Sequence, residues 1–201
     1  MDEIFIPIGN DCSVAYNLSQ LGKRHFALPF DWIRLNNIDR VIELLQNDFE
    51  DFLNPAYLVE KRKITGFPLL DNDWTECSTE KERPEIVNSK YNISFLHDFS
   101  NGLTDEKELS EVQEKYSRRI DRLREILKDE SIKVFVRGTL KKKIPKEKQL
   151  LEECFKNMGI SNVKLCFVDL NSFTVEMGTP IKDRWKRGPP ELWSKYFDLQ
   201  K

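Results

Sequence analysis

The chain is poor in the residues that build metal and redox centres. It has two histidines, His25 and His97, and four cysteines, Cys12, Cys77, Cys154 and Cys166. No two cysteines form a CxxC pair, so the spacing of a zinc ribbon, a thioredoxin-like motif or a disulfide framework is missing. No metal or other cofactor is expected. Long hydrophobic runs are missing too: nothing approaches the roughly 20 apolar residues that a membrane-spanning helix needs. The opening MDEIFIPIGND is acidic and lacks the basic-then-apolar layout of a signal peptide. Free thiols in a reducing compartment, hence a cytoplasmic location, are the expectation. An excess of one charge is also absent. A net charge of -2 sets up no field that would draw nucleic acid or an anionic membrane, so neither is expected as a partner. Acidic residues soon follow the basic stretch of Lys141-Lys142-Lys143, Lys146 and Lys148. A solvated loop entering a helix fits it, with a phosphate-contacting loop as the other reading.

What the chain does hold is bulk. Thirteen Phe and four Trp can bury large areas, and 201 residues suit a single domain over 1–201. Ile4 to Ile8 reads as a buried strand ending at Gly9. Asn10, Asp11, Cys12 and Ser13 then supply N-cap candidates, and Val14, Ala15, Leu18 and Leu21 follow at helical spacing. A second helical stripe runs from Ile38 to Phe49. Residues 57–92 are irregular and read as an insertion, or as two short strands (Tyr57 to Lys63, Ile64 to Leu70) followed by a loop. From Tyr91 the pattern alternates: a strand to Leu96, a helix from about Thr104 to Lys128, a strand from Ile132 to Val136, a helix from about Lys146 to Met158, and a strand from Val163 to Val168. The tail, with Trp185, Trp193, Tyr196 and Phe197, suits a short helix packed on the body. Nearly all-apolar strands alternating with helices predict an α/β fold. The expected form is a three-layer α/β/α arrangement around a mostly parallel sheet, Rossmann-like or SGNH-like.

Ligands of open α/β sheets bind beyond the carboxyl ends of the strands. The residues expected there are Asn10, Asp11, Cys12 and Ser13, then His97 and Asp98, then Arg137, then Asp169. A cysteine at a helix start meets the positive end of the dipole and unpaired N–H groups, both of which favour the thiolate. His97 is a candidate general base, with Asp98 or Asp169 behind it. Arg137 suits a carboxylate or phosphate. Each has a structural reading as well: Cys12 as a small buried hydrophobe, His97-Asp98 as a hydrogen-bonded pair, Arg137 as the partner of a carboxylate on the long helix. Cys154 and Cys166 read as core, His25 as a loop residue.

Several blocks in order resemble the DUF1796 family, a bacterial and viral group of unknown function described as papain-like cysteine peptidases. They are Gly9, Asn10 and Cys12; Ala15; Leu21-Gly22; Pro29-Phe30-Asp31-Trp32; His97-Asp98-Phe99; and Lys115-Tyr116 with Arg118-Arg119. The resemblance spans most of Ile4 to Gly138. It implies Cys12 as nucleophile and His97 as base, adds Asp31 and Trp32 as a site wall, and puts at most one of Arg118 and Arg119 toward the site. It also implies the alternative fold, a papain-like α+β arrangement in which a helix bearing the Cys packs on an antiparallel sheet bearing the His. The strand-Gly-Asn-Asp-Cys turn also resembles the nucleophile turn of SGNH esterases, without their downstream Asp-x-x-His. The functional expectation is a cysteine-dependent hydrolase or acyltransferase on a small-molecule or peptide substrate. The alternatives are a transferase or binding module for a phosphorylated or nucleotide-sugar ligand, and a non-catalytic interaction protein.

Overall fold

The computed structural model describes residues 2–66, 81–173 and 190–198. Cys77, Trp185 and positions 67–70 of the second expected short strand lie outside them. In chain order the elements are β1 (Glu3–Pro7), α1 (Ser13–Gln20), β2 (Ile33–Arg34), α2 (Ile38–Gln46), β3 (Leu58–Gly66), β4 (Lys81–Asn88), β5 (Ile93–Phe95), α3 (Glu106–Lys128), β6 (Ile132–Thr139), α4 (Ile144–Asn157), β7 (Val163–Asp169) and α5 (Glu191–Asp198).

They form two sheets. One is parallel, in the order β1-β6-β7, and the other is antiparallel, in the order β2-β5-β4-β3. The parallel sheet is buried on both faces, as its apolar strands require. On one face Phe5, Val134, Val136, Cys166 and Val168 pack with Val14 and Leu18 of α1 and Trp193 and Phe197 of α5. On the other, Ile6, Ile8 and Phe135 pack with Leu151 and Phe155 of α4 and with apolar residues of α2 and α3. Successive residues face opposite ways along a strand, so Phe5 and Ile6 belong to different layers. The fold is therefore mixed α/β: an α/β/α sandwich on the parallel sheet, joined to an antiparallel sheet.

The Tyr91 to Leu96 run departs from expectation. It gives only the short β5, which pairs antiparallel with β2 and β4. Its neighbour β4 (KERPEIVN) carries charges and Pro84, and falls in the stretch 57–92 expected to be irregular. Pro84 fits because the β5 ladder begins only at Ile86, while Pro84 pairs with Lys63 on the β3 side. At that point the strand has one neighbour, where a missing donor is tolerated.

The start of α3 is capped in a way that steadies the chain after His97. Asp105 accepts from the Glu108 N–H (3.0 Å), and the Glu108 carboxylate accepts from the N–H groups of Ser100, Asn101 and Gly102. This is the reciprocal logic of a capping box, extended into the preceding loop. The helix then buries Val112, Tyr116, Arg119, Ile120, Leu123 and Ile126.

Candidate functional site

β1 ends at a tight turn that only glycine fits. Gly9 has φ +82°, and a Cβ there would lie 3.2 Å from both Arg137 Nη1 and the Leu35 carbonyl oxygen. The chain then passes Asn10, whose buried Oδ1 has no hydrogen-bond partner among the described residues. Asp11 accepts from the Ser13 N–H (3.0 Å) and from the Ser13 hydroxyl. Ser13 is buried, and its carbonyl accepts from Asn17. Asp11 and Ser13, both expected to bind ligand, thus hold the turn together. Cys12 occupies the N-cap position of α1, 8% exposed, and its side chain makes no cap hydrogen bond. The first turn of α1 itself holds no acidic residue, but the Asp11 carboxylate just before it caps the Ser13 N–H.

This turn is braced from below. Arg137, expected to bind an anion, is 1% exposed and fully engaged. Its Nε donates to Glu147 (2.8 Å), its Nη1 to the Ile8 carbonyl (2.8 Å) and its Nη2 to the Asn36 carbonyl (2.9 Å). Enclosed and hydrogen-bonded in this way, the guanidinium serves as a strut. The carboxylate partner comes from α4 rather than from the long helix α3. Asp169 also serves structure, accepting from the N–H groups of Lys141 and Asn171 at the end of β7.

The two sheets meet at β2. The Leu35 N–H donates to the Asn10 carbonyl (2.9 Å), while Ile33 pairs with Phe95. Two residues beyond Leu35's contact stands Cys12, and two beyond Phe95 stands His97. Trp32, next to Ile33, meets the half-buried His97 ring edge to face, with centroids 6.0 Å apart. Asp31 behind it is wholly buried. Its Oδ2 accepts from Arg24 and from the Leu28 N–H (2.8 Å), while its Oδ1 has no hydrogen-bond partner among the described residues. Burial pushes the Asp31 carboxyl above its ordinary value, against the pull of Arg24.

Asp98 faces α3. Its Oδ1 pairs with Lys115 (2.7 Å) and its Oδ2 accepts from the Tyr116 hydroxyl (2.9 Å). Burial alone would raise this carboxyl, but Lys115 and Arg119 outweigh it and hold it below its ordinary value. Arg119 is buried and Arg118 exposed, so the Lys-Tyr-x-Arg-Arg segment turns one of its two arginines inward. Cys154 and Cys166 are core residues, and burial pushes the Cys166 thiol up to about 12. Among the described residues no cluster of His, Cys, Asp and Glu could hold a metal ion, and no helix is long and apolar enough to cross a membrane.

The sequence reading passed over Arg24, Arg83 and Glu147, and it named Lys115 within the family motif without pairing it to Asp98.

The family profile described as "Putative papain-like cysteine peptidase (DUF1796)" matches residues 3–170. The chain belongs to this family. It is 32% identical over 143 residues to "Uncharacterized protein R408" of Acanthamoeba polyphaga mimivirus, a match covering 70% of this chain and 63% of that protein. The chain therefore spans somewhat less than two thirds of the length of that relative. No solved structure matches it. For this DUF1796 chain the matched region takes in the Cys12 turn, the Trp32–His97 contact, and the Asp98 network. It stops short of α5, although Trp193 of that helix is completely buried.

Proposed function

We propose that this DUF1796 protein is a cysteine-dependent hydrolase of peptide or related acyl bonds, with Cys12 as nucleophile and His97 as general base. The Cys12 thiolate adds to the substrate carbonyl carbon, and His97 carries the thiol proton to the leaving amine as the C–N bond breaks. Water then attacks the thioester, giving one proton to His97 and releasing the acid and the Cys12 thiol.

The position of Cys12 carries the reading. It starts α1 at the end of a parallel strand, on a turn whose neighbours are spent on holding it there. That placement favours the thiolate. The Asn10–Leu35 and Ile33–Phe95 links support a short path from Cys12 to His97, and the family description agrees. Asp98 is better assigned to positioning than to proton transfer, since both its oxygens are held by α3. The phosphate-binding alternative loses its main support with Arg137 enclosed.

The test is alkylation by iodoacetamide at pH 7 on a Cys77→Ser chain. Cys12 should react at least ten times faster than a free cysteine, while the buried Cys154 and Cys166 stay unmodified. Cys12→Ala should abolish labelling, and His97→Ala should bring the rate toward that of an ordinary thiol. A Cys12 no faster than free cysteine, with no dependence on His97, would rule the mechanism out.

A further inference from the structure

The main chain on either side of His97 is secured. β5 ends at Phe95, whose partner in the ladder is Ile33, and residues 96–98 are bends. On the far side Asp98 is pinned to Lys115 and Tyr116 of α3. These anchors hold the backbone and leave the two torsions of the imidazole to be set by what the ring packs on. Trp32 supplies such a contact. Its ring meets that of His97 with centroids 6.0 Å apart and planes at 77°. Edge-to-face contacts of this kind are directional.

Trp32 is held in turn by an ion pair that stability does not explain. The Arg24 guanidinium lies over the Trp32 ring, its carbon 5.7 Å from the centroid. The same guanidinium donates through Nε to Asp31 Oδ2 (2.7 Å), and through Nη2 to the same oxygen. Asp31 Oδ2 also accepts from the Leu28 N–H, while the Asp31 N–H donates to the Leu28 carbonyl (3.2 Å). This double link closes the turn from which Trp32 projects. The Arg24 and Asp31 side chains are 2% and 0% exposed. Two charges sealed from water gain little over an apolar pair of the same volume. The unpartnered Asp31 Oδ1 adds to the cost. A costly pair, kept one residue from the side chain that meets His97, points to a role in geometry.

We propose that Trp32 is a positioning residue for His97, and that the Arg24–Asp31 pair acts through Trp32 to keep the imidazole in the rotamer that faces Cys12. This rests on the hydrolase reading for the part played by His97. Asp31 fixes the turn, Arg24 fixes the plane of the indole, and the indole gives the imidazole one surface to rest against. A general base works only within hydrogen-bond reach of the proton it takes. A change of rotamer would carry the His97 nitrogens out of that reach.

The experiment reads the ring directly and then the thiol. NMR three-bond couplings at the His97 Cβ report its first side-chain torsion, and His25→Gln in the full chain removes the other histidine. In that chain the couplings should be those of one rotamer. Trp32→Leu, which stays apolar but removes the ring, should average them, and Trp32→Phe should keep a single rotamer. Arg24→Met combined with Asp31→Asn should also average them. This neutral pair lets the Asn accept from the Leu28 N–H, so the melting temperature should hold, and it decides alone if Trp32→Leu does not fold. On the Cys77→Ser chain, Trp32→Leu should slow alkylation of Cys12 about tenfold. It should have no further effect once His97 is replaced by Ala. Couplings left unchanged by either change would overturn the proposal. So would equal slowing with and without His97, the mark of a merely structural role. If His97→Ala itself leaves Cys12 unaffected, the hydrolase reading falls, while the couplings still decide whether Trp32 holds the ring.

Discussion

Asp31 and Asp98 are both sealed from water, and their surroundings push them in opposite directions. For Asp31 burial outweighs Arg24 and the Leu28 N–H, and the carboxyl rises. For Asp98 burial is outweighed by Lys115 and Arg119, with the Tyr116 hydroxyl adding to them, and the carboxyl falls. A carboxyl lowered by folding stabilises the native state above its unfolded value of about 4, and that stability is lost as pH falls through the lower, folded value. Asp98→Asn should therefore cost roughly 3 kcal/mol at pH 7, where it leaves Lys115 without its charge partner. The penalty should shrink steadily below about pH 4. Urea denaturation of both proteins from pH 7 to pH 3 checks this, and a penalty independent of pH would mean that the ion pair is not what the substitution removes. The His-Asp pair was visible in the sequence, but its partners were not. Lys115 and Tyr116 sit 17 and 18 positions further on, and only the docking of α3 turns them toward Asp98.

Among the elements, those of the parallel layer were legible because each strand is an unbroken apolar run and each helix has a clear stripe. The ranges of β1, α1, α2, α3, α4 and β7 fall within a few residues of those read from spacing. The antiparallel sheet was harder to read. β4 mixes charges with Pro84, β2 has two residues, and β5 is too short to announce its direction. The strut under the Cys12 turn was equally hidden, since Arg137 and Glu147 meet across two elements. Its energetics are testable. Arg137→Met should cost about 3–5 kcal/mol by leaving the buried Glu147 carboxylate without its partner, and adding Glu147→Leu should recover much of that loss. A double-mutant cycle in urea measures the coupling, and strictly additive losses would show that the two side chains act separately. Gly138 tests the same corner by crowding. A Cβ there would sit 2.9 Å from Leu170 Cδ2 and 3.2 Å from Val14 Cγ2. Gly138→Ala should cost about 1–3 kcal/mol and disturb the seat of α1.

At the scale of the molecule, the site depends on layers that share one core. α1, which begins at Cys12, rests through Val14 and Leu18 on a cluster that also includes Phe5, Val136, Val168 and the α5 residues Trp193 and Phe197. Phe173 stacks on Trp193 with centroids 4.9 Å apart, and Phe5 meets Phe197 edge to face. The segment beyond the family match thus closes the outer face of the parallel sheet and backs the helix that carries the proposed nucleophile. Neighbouring residues of α5 separate this role from helix formation itself. Trp193 is completely buried, while Leu192 is 44% exposed. Trp193→Ala should cost about 3–5 kcal/mol through the cavity it leaves. Leu192→Ala should stay within about 0.5 kcal/mol, as surface substitutions do. Because the cavity would open beneath α1, Trp193→Ala should also change the rate at which Cys12 is alkylated under conditions where the protein remains folded, and Leu192→Ala should not. Equal effects of the two substitutions on stability would mean that α5 does not dock as described. A large loss of stability with no change at Cys12 would mean that the β1 turn, held by Arg137 and Asp11, sets the position of the thiol without help from the layer behind it.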